Sequence, residues 1–227
     1  TSLGAVLLPR TSYYVEMKME REFRTVSGKA LEFVAVLSIP LTVSFTIMAK
    51  QCILLLSGNA YLPSVIPMCI IMPTLILIGA SNVFGVQMLV PLGKETIVLY
   101  SECAGAVADI ILNAVFIPRY GASGAAFGTL VAEAVVLVVQ AAALKNMAWE
   151  IIKKVEVWKI LPAAALSGAA MIFIKNKLNM PVFPVLVICF SVFFSIYGIL
   201  LLGMKERILM ELLRTAAKRL KQKEREE

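Results

Sequence analysis

Histidine is absent from the 227 residues, cysteine appears four times, and aromatic residues make up only 8%. Without histidine there is no imidazole base, and no zinc site of the usual mixed Cys/His kind. Cys52, Cys69, Cys103 and Cys189 all lie inside apolar runs and lack CxxC spacing. This excludes a disulfide framework and leaves them as small packing or lipid-facing residues. No GxxxxGK[ST] phosphate loop occurs, and Gly121-Ala-Ser-Gly124 reads as a tight turn between hydrophobic runs rather than a phosphate cradle. These absences argue against an enzyme and against intrinsic ATP drive, and no cofactor is expected. Charge is scarce too, at 16% Asp, Glu, Lys and Arg, whereas 59% of the residues are hydrophobic and the mean hydropathy is +0.85. An ordinary soluble domain carries about 25% charged residues. The composition therefore predicts an all-α polytopic membrane protein.

Crossing about 30 Å of hydrocarbon takes about 20 residues at 1.5 Å each. Apolar runs of that order lie at about 30–57, 65–90, 96–117, 124–144, 158–174 and 182–202, so about six complete spans are expected. The fifth is the weakest, being short and carrying Pro162 and Gly168. The first residues, Thr1–Leu8, are apolar but too short to span, and they read as the end of a truncated helix that begins upstream. The chain then divides into that helix end with a basic loop (1–29), a four-helix core (30–144), a loop with two additional spans (145–204) and a basic amphipathic tail (205–227).

Basic residues orient the spans, because cytoplasmic loops carry the excess of Lys and Arg. The stretches 10–29, 92–96, 145–159 and 205–227, which share one side, hold 18 of the 22 basic residues. Lys50, Arg119, Lys175 and Lys177 fall on the other. The expected location is thus a cell membrane, crossed several times, with a cytoplasmic C-terminus. In the tail, Ile208, Leu209, Leu212, Leu213, Ala216 and Leu220 recur at helical spacing among charges, predicting a helix laid along anionic lipid. The net charge of +7 needs no nucleic-acid partner, since the basic residues sit where topology requires them.

Polar groups inside the spans are the candidate functional residues, because a charged side chain at the bilayer centre costs about 2.5–3.5 kcal/mol on insertion scales. Glu102, Asp109 and Asn113 stand seven and four residues apart. That spacing puts all three within about 40° on a helix. Thr129, Glu133 and Gln140 form a second stripe in the next span. Counted from the turn near Tyr120, Asp109 and Glu133 reach similar depth. If they face one cavity, repulsion and desolvation favour one shared proton and a proton-linked step; otherwise each carboxyl fixes helix packing. Asn82 and Gln87 lie in the second span beside Gly79 and Gly85, with kinks expected at Pro73 and Pro67. For phosphate, the candidates are Arg10 and Arg24, which with Lys29 make a basic rim, and Lys50 near the opposite side. A topology-setting or snorkelling role is the alternative for each.

Several of these segments together resemble a known family. They are Leu7-Leu8-Pro9-Arg10-Thr11-Ser12, Pro40 with Ala49-Lys50, Leu56-Ser57-Gly58-Asn59-Ala60-Tyr61 and Gln87-Met-Leu-Val-Pro91-Leu-Gly-Lys-Glu95, followed by Ile111-Leu-Asn113 and the block Ile117-Pro-Arg-Tyr-Gly121-Ala-Ser-Gly-Ala-Ala126 with Thr129 and Glu133. The chain over about 1–144 is similar to the C-terminal half of Wzx-type polysaccharide (O-antigen) flippases. These belong to the multidrug/oligosaccharidyl-lipid/polysaccharide superfamily, which also holds the MATE exporters. The resemblance implies a MATE-like second lobe that faces a missing N-terminal lobe of the same protein across a central cavity. It implies a polyprenyl-diphosphate-linked oligosaccharide as substrate, and membrane lipids and a polysaccharide polymerase or glycosyltransferases as partners. An ion-coupled MATE-type exporter of small cationic compounds and a non-transporting scaffold of a glycan assembly complex remain as alternatives.

Overall fold

The computed structural model describes residues 2–211, with side chains from 7 onward. Among the described residues the protein is helical throughout, with no strand. The helices are α1 (Ser2–Glu16), α2 (Glu20–Ile47), α3 (Ala49–Leu56), α4 (Val65–Ile71), α5 (Thr74–Asn82), α6 (Glu95–Tyr120), α7 (Ala122–Leu144), α8 (Asn146–Lys154), α9 (Val157–Lys177) and α10 (Val182–Gly203). A 3₁₀ stretch, Asn59–Ser64, leads into α4, and a π-helical stretch, Val83–Leu89, prolongs α5. Five helices (α2, α6, α7, α9 and α10) are long and apolar enough to cross a membrane. A sixth crossing results if the pair 59–71 and 74–89, bent by 41°, counts as one broken span.

Two stretches that the sequence suggests as loops are largely helical. Residues 10–29 fold as the end of α1, a three-residue turn and the first part of α2, whose first turn carries Glu20 and Glu22. These acids favour helix initiation by complementing the positive end of the dipole. Between α7 and α9, α8 buries Ala148 and Ile151 against the bundle and ends on Lys153 and Lys154. The first span also differs from expectation: it begins at Glu20 rather than Ala30 and breaks at Met48 before α3. The Lys175 ammonium donates to the carbonyl oxygen of Ile47 at 2.9 Å, satisfying one of the carbonyls that a helix end leaves without a partner. Pro73, lacking an N–H, marks the bend between α4 and α5, whereas Pro67 lies in the first turn of α4, where no N–H is needed, and makes no kink. The weakest apolar run forms a full helix, α9, whose buried face carries Ala163, Ala164, Ser167, Gly168 and Met171.

Packing runs in sequence across the bundle: α6 lies against α7, α7 against α4 and α5, α5 against α2, α2 against α9, and α9 against α10. The core is filled by Phe84, Met88 and Leu89 of the π-helical stretch with Met48, Ile151, Ile160, Met171, Phe193 and Leu201. The Tyr197 hydroxyl donates to the carbonyl of Val36 at 2.9 Å, tying α10 to α2 through a buried hydrogen bond. Cys52 and Cys189 are buried, Cys69 is half-buried and Cys103 is exposed, all as free thiols.

The basic helix ends gather at one end of the bundle. Arg24 of α2 is ion-paired with Glu150 of α8, and Lys29 bonds Glu211 at 2.7 Å. One small cavity is lined jointly by Tyr14, Lys18, Phe23, Leu92 and Met147. The 47–65, 117–124 and 175–183 segments form the opposite end, where Lys175 reaches Ile47, and Leu55 and Leu56 share an apolar groove with Phe183.

Candidate functional site

The candidate site rises from the α6–α7 hairpin. One residue, Gly121, links the two helices with φ +55°, a left-handed conformation that glycine adopts without strain. Its N–H closes α6 on the carbonyl of Ile117 at 2.8 Å, and its own carbonyl accepts from the N–H of Gly124 at 3.0 Å. Along α7 the buried residues are Ala126 and one four-residue ridge: Gly124, Gly128, Ala132, Val136, Gln140 and Leu144. Side-chain size grows away from the turn. At Gly124 a Cβ would come within 2.5 Å of the Phe116 carbonyl oxygen, so the backbones nearly touch, in the manner of small-residue membrane interfaces.

That close approach positions the polar stripe. Gly128 leaves room for Asn113 and Asp109 to lie flat against α7, and a Cβ there would strike Asn113 Oδ1 and come within 3.2 Å of Asp109 Oδ1. Asn113 Nδ2 donates to Asp109 Oδ2 at 3.1 Å. Asp109 Oδ1 and Asn113 Oδ1 are sealed from solvent and receive no hydrogen bond. Glu133 of α7 is half-buried within electrostatic reach of both Glu102 and Asp109, while Glu102 itself is exposed. Glu102, Asp109, Asn113 and Glu133 thus form one acidic group, and no basic side chain among the described residues pairs with its carboxylates. Such a group can accept a proton, bind a cation, or accept hydrogen bonds from hydroxyls. It contains no nucleophile activated by a neighbouring base.

The other expected members lie elsewhere. Gln140 is fully buried and donates from Nε2 to Ser101 Oγ at 3.0 Å, with its amide pressed against Gly85. It is a packing contact between α7, α6 and the π-helical stretch, not part of the acidic group. Gln87 is buried inside that stretch with its Oε1 unbonded, and Asn82 is half-buried at its start. The π turn itself, with Val90 N–H reaching the Gly85 carbonyl at 3.1 Å, was not legible from the sequence. Gly85 lies inside it, where an added Cβ would stand 3.0 Å from the Gln140 amide.

The phosphate candidates do not converge. Arg24 is engaged by Glu150 and Glu20. Lys50 is exposed in the first turn of α3, at the opposite end of the bundle. Arg10 is exposed on α1, its Nε donating to Tyr14 Oη at 3.0 Å.

A second charged centre stands at the basic end, carried partly by residues that the sequence reading did not single out. Carboxylate oxygens of Glu32, Glu156 and Glu206 lie within 4.8 Å of one another, with Glu32 and Glu206 fully buried. Arg207 Nη2 stands 3.1 Å from Glu32, and Lys159 donates to Glu156 at 2.7 Å. Glu206 caps the helical turn that follows it, accepting from the N–H groups of Ile208 at 3.1 Å and Leu209 at 2.7 Å. The sequence signal was Glu32 itself, a carboxylate inside the first apolar run. The start of the tail is therefore docked on the bundle through 206–211, and Leu212, Leu213, Ala216 and Leu220 of the expected amphipathic pattern lie outside the described residues.

Comparison of the chain with protein-family models, with curated proteins and with solved structures finds no match in any of the three.

Proposed function

We propose that this chain is one lobe of a membrane transporter that flips polyprenyl-diphosphate-linked oligosaccharide across the cytoplasmic membrane, with the basic end and the C-terminus on the cytoplasmic side. The observation that carries the transport reading is the acidic group Glu102, Asp109, Asn113 and Glu133 on α6 and α7. Of the five long apolar helices, α6 is the least covered by the rest of the chain, and it bears three of these four residues. Asp109 and Asn113 lie against α7, Glu133 is half-buried and Glu102 is exposed; intramembrane carboxylates at such an edge, partly covered and partly open, fit a cavity shared with another lobe better than a lipid-facing surface. The glycan-lipid substrate rests on the resemblance of the Asn113 to Glu133 block to Wzx-type flippases. Six crossings, counting the broken helix as one, and a MATE-like arrangement of the lobe belong to the same reading. That no cation among the described residues pairs with the acidic group favours one second reading, an ion-coupled exporter of small cationic compounds.

The test is translocation of a fluorescent polyprenyl-diphosphate oligosaccharide by the complete protein in proteoliposomes, with and without a pH gradient. Gradient-sensitive movement that loses its pH dependence in Asp109→Asn or Glu133→Gln is the expected result. Export of a cationic dye without glycan-lipid movement selects the second reading.

A further inference from the structure

Four arginines stand at the basic end among the described residues, and they divide into two pairs. Arg24 and Arg207 are neutralised by Glu150 and Glu32. Arg10 and Arg21 have no ion pair with a described carboxylate, and both line the same groove between α1 and α2. The groove measures about 360 Å³ and is also lined by Tyr14, Glu22, Thr25 and Lys29. Arg10 is held in place: its Nε donates to Tyr14 Oη at 3.0 Å, and its guanidinium carbon stands 5.7 Å from the centre of the Tyr14 ring. Both terminal nitrogens stay available on a side chain whose freedom is already reduced. Three cations against Glu22, with Lys29 shared with Glu211, leave the groove positive.

The depth of the groove is marked independently. Trp149 and Trp158, the two tryptophans of the chain, flank this end of the bundle and are more than half exposed. Lys153 Nζ stands 5.0 Å over the Trp149 ring, and Lys159 Nζ stands 5.1 Å over that of Trp158. Exposed tryptophan beside lysine is the pattern of the headgroup layer. Arg24, three residues from Arg21, reaches Glu150 in the same helix as Trp149, so the groove and Trp149 share one level.

We infer that the α1–α2 groove is a binding site for the phosphodiester of an anionic phospholipid, with Arg10 and Arg21 as its fork donors. Planar guanidinium groups give paired, directional hydrogen bonds to phosphate oxygens, which a diffuse positive surface does not require. The site lies at the basic end, away from the acidic group of α6 and α7, and does not depend on the transport reading.

The experiment is lipid retention by the complete protein, measured by native mass spectrometry after release from nanodiscs of phosphatidylglycerol or phosphatidylcholine. Separate arms add inorganic phosphate or diphosphate to protein in neutral detergent. Expected is tight retention of one phosphatidylglycerol, weakened about tenfold in the charge-conserving double variant Arg10→Lys/Arg21→Lys and less in Tyr14→Phe. Lys94→Ala and Lys145→Ala, which remove charge at the same end outside the groove, are expected to retain lipid unchanged. All these positions except the half-buried Tyr14 are exposed, so folding is preserved. Unchanged retention in the double lysine variant, or equal loss in Lys94→Ala, would overturn the site in favour of diffuse attraction. Equal occupancy by inorganic phosphate or diphosphate would overturn the lipid headgroup as its source.

Discussion

Gly128 is the residue in direct contact with the acidic group, since it leaves the room in which Asn113 and Asp109 lie against the backbone of α7. The conflict a Cβ would meet there involves two short side chains already bonded to each other, so neither can swing aside without breaking the 3.1 Å hydrogen bond. Gly128→Ala is expected to cost about 1–3 kcal/mol through overpacking. Gly198→Ala on α10, where an added Cβ meets nothing within 4 Å, is expected to be neutral or slightly stabilising, as alanine is favoured in helices by about 1 kcal/mol. Thermal midpoints in detergent compare the two, and equal midpoints would contradict the close-approach account. At this scale the sequence was partly legible: the seven- and four-residue spacings foretold that Glu102, Asp109 and Asn113 share a face, while the diversion of Gln140 to Ser101 was hidden, because periodicity does not say which neighbour a face meets.

The segment 206–211 is held to the bundle by interactions of different strength. Lys29 and Glu211 are partly exposed, so their pairing contributes little beyond about 1 kcal/mol. The contact of Arg207 with Glu32 matters more, because Glu32 is fully buried and its carboxylate oxygens receive no well-aligned hydrogen bond from any described group. Arg207→Ala is expected to destabilise the protein by about 1–3 kcal/mol, below the roughly 3–5 kcal/mol of a fully buried pair because the guanidinium is half exposed to solvent. Adding Glu32→Gln to that variant is expected to recover most of the loss. A double-mutant cycle on unfolding in detergent measures the coupling, and additive losses would show that the two groups act independently. The bend at Pro73 was legible because a missing N–H is local. By contrast, the break at Met48 coincides with a carbonyl capped from α9, 128 residues away from Ile47 along the chain, a contact that no local window contains.

At the scale of the whole molecule, the clustering of basic helix ends makes a directional statement about the membrane. Lys18 and Lys145 lie at one end, Tyr61 and Met180 at the other, and all four are exposed. Single cysteines at these positions, in a background freed of Cys52, Cys69, Cys103 and Cys189, are expected to react with a membrane-impermeant maleimide from opposite faces in two pairs. Reaction of all four from one face would refute a bundle that crosses the bilayer. The sequence by itself determined the helical class, the number of apolar runs and their alternation between ends rich and poor in Lys and Arg, because hydropathy and positive charge act on each segment separately through the bilayer. It also determined the hairpin at Gly121, where an Ile-Pro-Arg-Tyr-Gly run between two spans leaves room only for a tight turn. Only the tertiary structure decided which polar groups meet: that Glu133 comes close to Glu102 and Asp109, that Glu32 joins Glu156 and Glu206, and that Arg10 pairs across a groove with Arg21 rather than with Arg24. Those encounters depend on rotation and packing of whole helices, which interactions between residues far apart in sequence decide.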